Sequence, residues 1–141
     1  MSFLQALSEG TILFDGAMGT QIQALDLEEE AWDGKPGLGE ILNLTVPDKI
    51  LSIHKAYIEA GSQAIETNTF GANRIVLEDY GLADLTEEID YRAALLAREA
   101  ADSFSKGRSF TPFVAGSIGP GTKLPSLGQI DFDTLHSSYL E

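Results

Sequence analysis

The residues best placed to do chemistry stand at the ends of short apolar runs. Ile12-Leu13-Phe14 leads straight into Asp15, and Gly16 and Gly19 bracket the turn that follows. Bulky and β-branched residues in succession predict a fully buried strand. Glycine beyond its end lets the chain break direction and approach a ligand closely. Asp15 then lies at the carboxyl end of a buried strand, the edge at which α/β folds bind ligands. Its carboxylate can accept from a ligand or from N–H groups of its own turn, and both readings stand at this point. Two more stretches are built alike. Ala64-Ile65-Glu66 runs into Thr67-Asn68-Thr69-Phe70, and Phe113-Val114-Ala115 into Gly116-Ser117-Ile118-Gly119-Pro120.

Other chemistries find little support. The chain has no cysteine, which excludes a disulfide framework and a thiolate-bound metal within it. Its two histidines, His54 and His136, fall on separate predicted helices, and the acids at the strand ends are single. No metal site is predicted. His54 lies on an apolar helix face and is expected to be a satisfied core histidine. Gly121-Thr122-Lys123 has the wrong order for a phosphate-binding loop. With 9 basic and 22 acidic residues the net charge is -13. Such a chain is repelled by nucleic acid and by anionic membrane surfaces. Met1 to Leu7 lacks the basic and apolar regions of a signal peptide, and no apolar run is long enough to cross a bilayer. A cytoplasmic location is expected.

The elements that must position these residues alternate. A short helical lead-in over Phe3 to Leu7 precedes strand one, Thr11 to Phe14, and a short helix over Gln21 to Leu27. Asp33 to Glu40 is a glycine-rich loop, with Trp32 as its packing anchor. Thr45 caps a helix that has Pro47 and Asp48 in its first turn and Ile50, Ile53, His54, Tyr57 and Ile58 along one face. Gly61 closes it. Ala64 to Phe70 is strand two, and Ala72 to Tyr80 a short helix. Asp84 or Thr86 caps the next helix, whose buried face is Ile89, Ala93, Leu96, Ala97, Ala100 and Phe104, with Lys106-Gly107-Arg108 at its negative end. Phe113 to Ser117 is strand three, and Asp131 or Asp133 caps a last helix from Phe132 to the final residue. Three strand–helix units in a row predict parallel, adjacent strands joined by right-handed crossovers. A (β/α)8 barrel takes roughly 250 residues. The fold expected is therefore α/β, with residues 1–141 a truncated domain: the amino-terminal part, about three βα units, of a (β/α)8 TIM barrel.

Five stretches carry a resemblance in the same order: Asp15-Gly16-Ala17-Met18-Gly19-Thr20, Asn43-Leu44-Thr45 with Pro47, His54 with Tyr57 and Ala60-Gly61, Glu66-Thr67-Asn68-Thr69-Phe70, and Gly116-Ser117-Ile118-Gly119-Pro120. From about Leu13 onward the chain resembles the homocysteine S-methyltransferase family. The likeness is closest to the amino-terminal homocysteine module of its cobalamin-dependent, methionine-forming branch. The resemblance implies a (β/α)8 barrel in which zinc binds the homocysteine thiol and lowers its pKa, so that a thiolate attacks the methyl donor. The family's zinc ligands are cysteines of the second half of the barrel. Zinc and cobalamin or methyltetrahydrofolate are thus implied for a full-length protein, with none expected on this chain.

By position, Asp15 matches the family acid that faces the amino group of homocysteine. Gly16 and Ala17 match the turn whose N–H groups lie near the substrate carboxylate, and Asn68 and Thr69 match the second strand end at the same mouth. Gly71 stands where the betaine-using branch tends to place an aromatic, which leans the chain toward a corrinoid- or folate-linked relative. The implied partners are homocysteine, the carboxy-terminal half of the barrel and corrinoid or folate modules. The chain alone is expected to be an inactive fragment of the enzyme. A non-catalytic amino-acid-binding or assembly module built from a half-barrel is the alternative. Open strand edges also predict a homodimer, a domain-swapped form or poor solubility.

Overall fold

The computed structural model describes residues 1–105 and 110–140. Lys106-Gly107-Arg108, expected at a helix end, lie outside the described residues. Among the described residues, seven α-helices, with a few short 3-10 turns, flank a small parallel sheet: α1 (Phe3–Glu9), α2 (Met18–Ala24), α3 (Leu42–Thr45), α4 (Pro47–Glu59), α5 (Arg74–Glu78), α6 (Thr86–Ser105) and α7 (Phe132–Ser138), with strands β1 (Ala64–Glu66) and β2 (Phe113–Ala115). The strands are parallel, with Ile65 opposite Val114. Phe14 adds a parallel bridge to Ala64 on the other side of β1. The three expected strand segments are therefore adjacent and parallel in the order anticipated, and all run into loops on one edge.

The first segment departs from expectation. It is a single bridge rather than a strand over Thr11 to Phe14, and Leu13 is 56% and Phe14 39% exposed. The hydrogen bonding explains its brevity. The Leu13 carbonyl accepts from both Gln63 N and Ala64 N, at 2.7 and 3.1 Å, while Leu13 N donates to the Gln63 side chain at 3.1 Å. A side chain thus takes the place of a rung, and the regular ladder resumes only where Asp15 N donates to Ala64 O at 3.0 Å. Phe3 of α1 gives Phe14 and Phe113 edge-on ring contacts at 6.3 and 5.3 Å. The other two strands are also shorter than their apolar runs. Past Glu66 one more rung forms, Thr67 N to Ala115 O, before Thr69 N turns back to Thr67 O.

Two clusters hold the helices on the sheet. The larger joins Leu42 of α3, Ile50 and Ile53 of α4, Leu77 of α5 and Ile89 of α6 with Ile22 of α2. The smaller joins Ile58 of α4, Ile65 of β1 and Ala97 and Ala100 of α6, with Phe104 and Val114 against it. Of the face expected to lie on the sheet, Phe104 packs with strand residues, whereas Ile89 and Leu96 pack with the helices. Burying one such Ile or Leu side chain is worth about 1.5–3 kcal/mol. His54 departs from its expected role. It is fully buried on α4, yet neither ring nitrogen has a hydrogen-bond partner. Burial pushes its pKa down to about 4, so the ring is held neutral.

Caps account for the remaining differences. Thr45 does not cap α4; its hydroxyl donates to Ala31 O at 2.6 Å and ties the long loop down, and Val46 flanks the helix without a side-chain cap. Pro47 and Asp48 still occupy the first turn, and Gly61 follows the helix at φ +114. Helix α2 starts at Met18, before the expected Gln21, and the chain leaves it through Asp26 at φ 48. Asn73 shortens the next helix by accepting from Ile75 N at 3.0 Å. Thr86 opens α6 by donating to Ala83 O rather than by accepting. Asp131 caps α7 as expected, accepting from Thr134 N at 2.8 Å and from the Thr134 hydroxyl at 2.6 Å.

Candidate functional site

A cleft of about 870 Å³ opens at the carboxyl edge of the sheet. Its floor is Asp15 to Gly19, Glu66 to Asn68 and Ser117, and its wall is the long loop with Trp32, Pro36, Gly37, Gly39 and Glu40. Asp15, Gly16, Ala17 and Asn68, expected at a binding mouth, all line it. Thr69 does not. Its hydroxyl donates to Ser117 O at 2.7 Å and meets Thr67 Oγ1 at 2.7 Å, and it lines a neighbouring cavity of about 300 Å³. The chain has left the strand by then, and the tight turn from Thr69 N to Thr67 O carries Thr69 toward Ser117 instead.

Asp15 is half-buried, and both its carboxylate oxygens accept from Glu66 N, at 3.2 and 3.1 Å. Asp15 thus braces the end of the adjoining strand rather than its own turn, and it lines the cleft. Burial raises its pKa above the ordinary value; the Glu66 N–H opposes this, and the Glu66 charge adds to the rise. The next turn is unbraced on its donor side. Among the described residues no group accepts from the N–H of Gly16 or Ala17. On its acceptor side, Tyr57 of α4 donates from its hydroxyl to Ala17 O at 3.1 Å.

Asn68 acts mainly as a clasp. Its side-chain amide donates to Gly39 O at 2.8 Å and to Asn43 Oδ1 at 3.1 Å, and its carbonyl accepts from Asn43 Nδ2 at 2.9 Å. Two buried asparagines thus fasten the long loop to the strand end, each satisfied as a buried polar group must be. Glu40 adds a second tie, accepting from Gly71 N at 2.6 Å. A Cβ at residue 71 would stand 2.8 Å from the same carboxylate oxygen, so a side chain there would make Glu40 swing aside. Gly119 is required more strictly. Its N–H donates to Phe70 O at 3.0 Å, and a Cβ there would collide with that carbonyl oxygen.

Sequence reasoning missed Glu40 as a lining residue and gave Glu66 no role of its own at the mouth. Glu66 is exposed and faces the cleft with Ser117, whose hydroxyl donates to it at 3.4 Å. Its place at the third residue of an apolar strand, before the polar run, was the available pointer. Glu40 had none, because its role depends on how the long loop folds back. With Asp15, Glu40 and Glu66 in its lining and no basic residue among them, the cleft suits a cationic group. Among the described residues no three of His, Asp and Glu come close enough to hold a metal ion.

Parallel strands delivering polar, glycine-bearing loops to a single edge define an α/β protein with a cleft at the carboxyl ends of the strands. Residues 12–141 match the family model described as homocysteine S-methyltransferase. Two curated relatives agree: a methionine synthase of Mycobacterium tuberculosis, 45% identical over 98% of this chain, and one of Mycobacterium leprae, 42% identical over 98%. The chain belongs to the homocysteine S-methyltransferase family. It spans only 12% and 11% of the length of those two relatives. Among solved structures it is similar to the homocysteine methyltransferase MmuM from Escherichia coli in its metallated and oxidized forms. The TM-score is 0.67 for both, at 25% and 27% identity, covering 95% and 84% of this chain and 43% and 41% of those chains.

Proposed function

We propose that this chain supplies the amino-acid-binding part of a homocysteine S-methyltransferase of the methionine synthase type, as the first βα units of a (β/α)8 barrel. The observation that carries the reading is the pairing, in one cleft, of a half-buried carboxylate at Asp15 with the unpaired N–H groups of Gly16 and Ala17. An α-amino acid carries its ammonium and its carboxylate on the same carbon, so a site for it needs an acid and N–H donors side by side. Asp15 would hold the ammonium in a charge-assisted pair, and the turn would donate to the carboxylate. Glu66 adds negative potential on the ammonium side. Asn68 and Thr69 hold the mouth in shape around them.

The family's thiolate zinc site does not fit these residues. The chain has no cysteine, and the described acids and histidines do not cluster. No step through a metal is therefore drawn from them, and cobalamin and folate chemistry belongs to the remainder of a full-length protein. The chain's own part is to bind and orient homocysteine, and alone it is not expected to methylate it. With the cleft open to water, the Asp15 pair is worth about 1 kcal/mol or less. Binding is then millimolar or weaker, since ~4 kcal/mol corresponds to a millimolar constant. An NMR titration with homocysteine tests the placement. The largest amide shifts are expected at Asp15, Gly16, Ala17 and Glu66; shifts centred on α7 or on the smaller cavity would remove the assignment.

A further inference from the structure

Tyr57 lies on α4, one turn after the core residue Ile53 and on the same face, and is only half-buried. Its ring packs against both apolar clusters, while its hydroxyl reaches Ala17 O across a sequence separation of forty residues. The contact with the neighbouring residue is equally close. A Cβ on Gly16 would stand 3.1 Å from the Tyr57 hydroxyl oxygen and 3.2 Å from Cε1. The phenol therefore lies directly under the Gly16-Ala17 turn: the ring crowds the space a side chain at 16 would need, and the hydroxyl joins that of Thr20, at 3.0 Å, in donating to the Ala17 carbonyl. Fixing the Ala17 carbonyl orients the peptide that follows. The close contact beneath Gly16 limits how far the preceding peptides can rotate. These are the peptides whose N–H groups have no other partner.

We propose that Tyr57 is a positioning residue for the binding turn, a strut that holds the Gly16 and Ala17 N–H groups in place before a ligand arrives. The proposal rests on the reading of this turn as the amino-acid carboxylate site. Its physical basis is preorganisation: a turn already held in its bound conformation loses less freedom when the ligand binds. The geometry also gives Gly16 its reason. A Cβ at 16 would press on the phenol and make it give by a few tenths of an ångström, a constraint from the strut and not from the backbone, which is not in the left-handed region.

The test uses Tyr57→Phe, which keeps the ring and removes the hydroxyl, alongside Tyr57→Leu, which removes both. NMR relaxation of the Gly16, Ala17 and Met18 amides reads the turn itself, and urea unfolding reads global stability. The Phe variant is expected to leave the urea midpoint almost unchanged while loosening the turn amides. Its homocysteine affinity, followed through the same amides, should fall about three- to ten-fold, the range for one net hydrogen bond. Tyr57→Leu should loosen the turn further. Adding Gly16→Ala should perturb the turn strongly in the wild-type background and weakly in the Leu background. Turn amides unchanged in both Tyr57 variants would overturn the strut. So would a loss of affinity that appears only together with a loss of stability. Absence of any homocysteine response in the wild type would instead overturn the substrate reading, and the relaxation data alone would then decide the role of Tyr57.

Discussion

At the scale of single residues, a buried histidine and a half-buried aspartate pull stability in opposite directions. His54 is held neutral, its pKa pushed down to about 4 by burial, against an ordinary value of 6.5. Its contribution is therefore complete above that ordinary value and is lost as pH falls toward the folded-state value. Asp90 of α6 is the converse case. One carboxylate oxygen is buried without a partner, and burial, then the charge of Glu40, push its pKa up to about 6 from 3.8. Its stability is complete at low pH and is lost as pH rises through that range. His54 is worth about 3 kcal/mol over its window, and the half-buried Asp90 less, because solvent screens its charge. The windows overlap, so the two partly offset each other in the wild type. Asp90→Asn should remove one side of the balance, leaving stability that drops more than in the wild type between about pH 7 and pH 4. His54→Leu should reverse the sign of that extra slope. Urea midpoints across this range check both, and parallel pH profiles for the two variants would refute the offset.

At the scale of elements, the loops at the strand ends depend on close backbone approach. Gly119→Ala forces the 116–121 loop away from Phe70 and should lower stability by about 1–3 kcal/mol, as overpacking does. It should also shift the amides of Phe70 and Gly71. Ile65→Ala in β1 empties a fully buried position between α4, α6 and β2, and is expected to cost about 2–5 kcal/mol in urea unfolding. These elements also show what could be read beforehand. The helix around Ile50 and Ile53 and the face of Ile89, Ala93, Ala97 and Ala100 follow from apolar spacing, which reports burial directly. The parallel order followed from strand, helix and strand recurring. The buried first strand was not legible, because Gln63 replaces a rung with its side chain and no pattern in Thr11 to Phe14 carries that. The role of Thr45 was hidden likewise: its partner, Ala31 O, is supplied by the long loop. Asp15 stood out from its place after an apolar run, while Glu40 becomes a lining residue only once that loop is folded.

At the scale of the whole molecule, β2 has β1 on one side only among the described residues, and the Phe14 segment closes the other side of β1 with a single bridge. Phe14, Phe70 and Ile118 are exposed near these edges. Unpaired edges beside apolar side chains associate. Sedimentation is expected to show dimers or larger species growing with concentration, and a monomer unchanged over a wide range would contradict this. No helix of the described residues is long and apolar enough to cross a membrane. The chain's match to less than half of the solved homocysteine methyltransferase chains is consistent with our proposal that the cleft is completed by further barrel units.

The central claim is that Asp15 holds the ammonium of an amino-acid ligand. It is tested most directly by titrating wild type and Asp15→Asn with homocysteine and with its analogue lacking the amino group, with and without zinc. Wild type should bind homocysteine at millimolar strength, independently of zinc. Asp15→Asn should weaken that binding by about five-fold or less, as about 1 kcal/mol requires. The deaminated analogue should not distinguish the two proteins. Equal affinity of both proteins for homocysteine, or micromolar binding that requires zinc, would contradict the account.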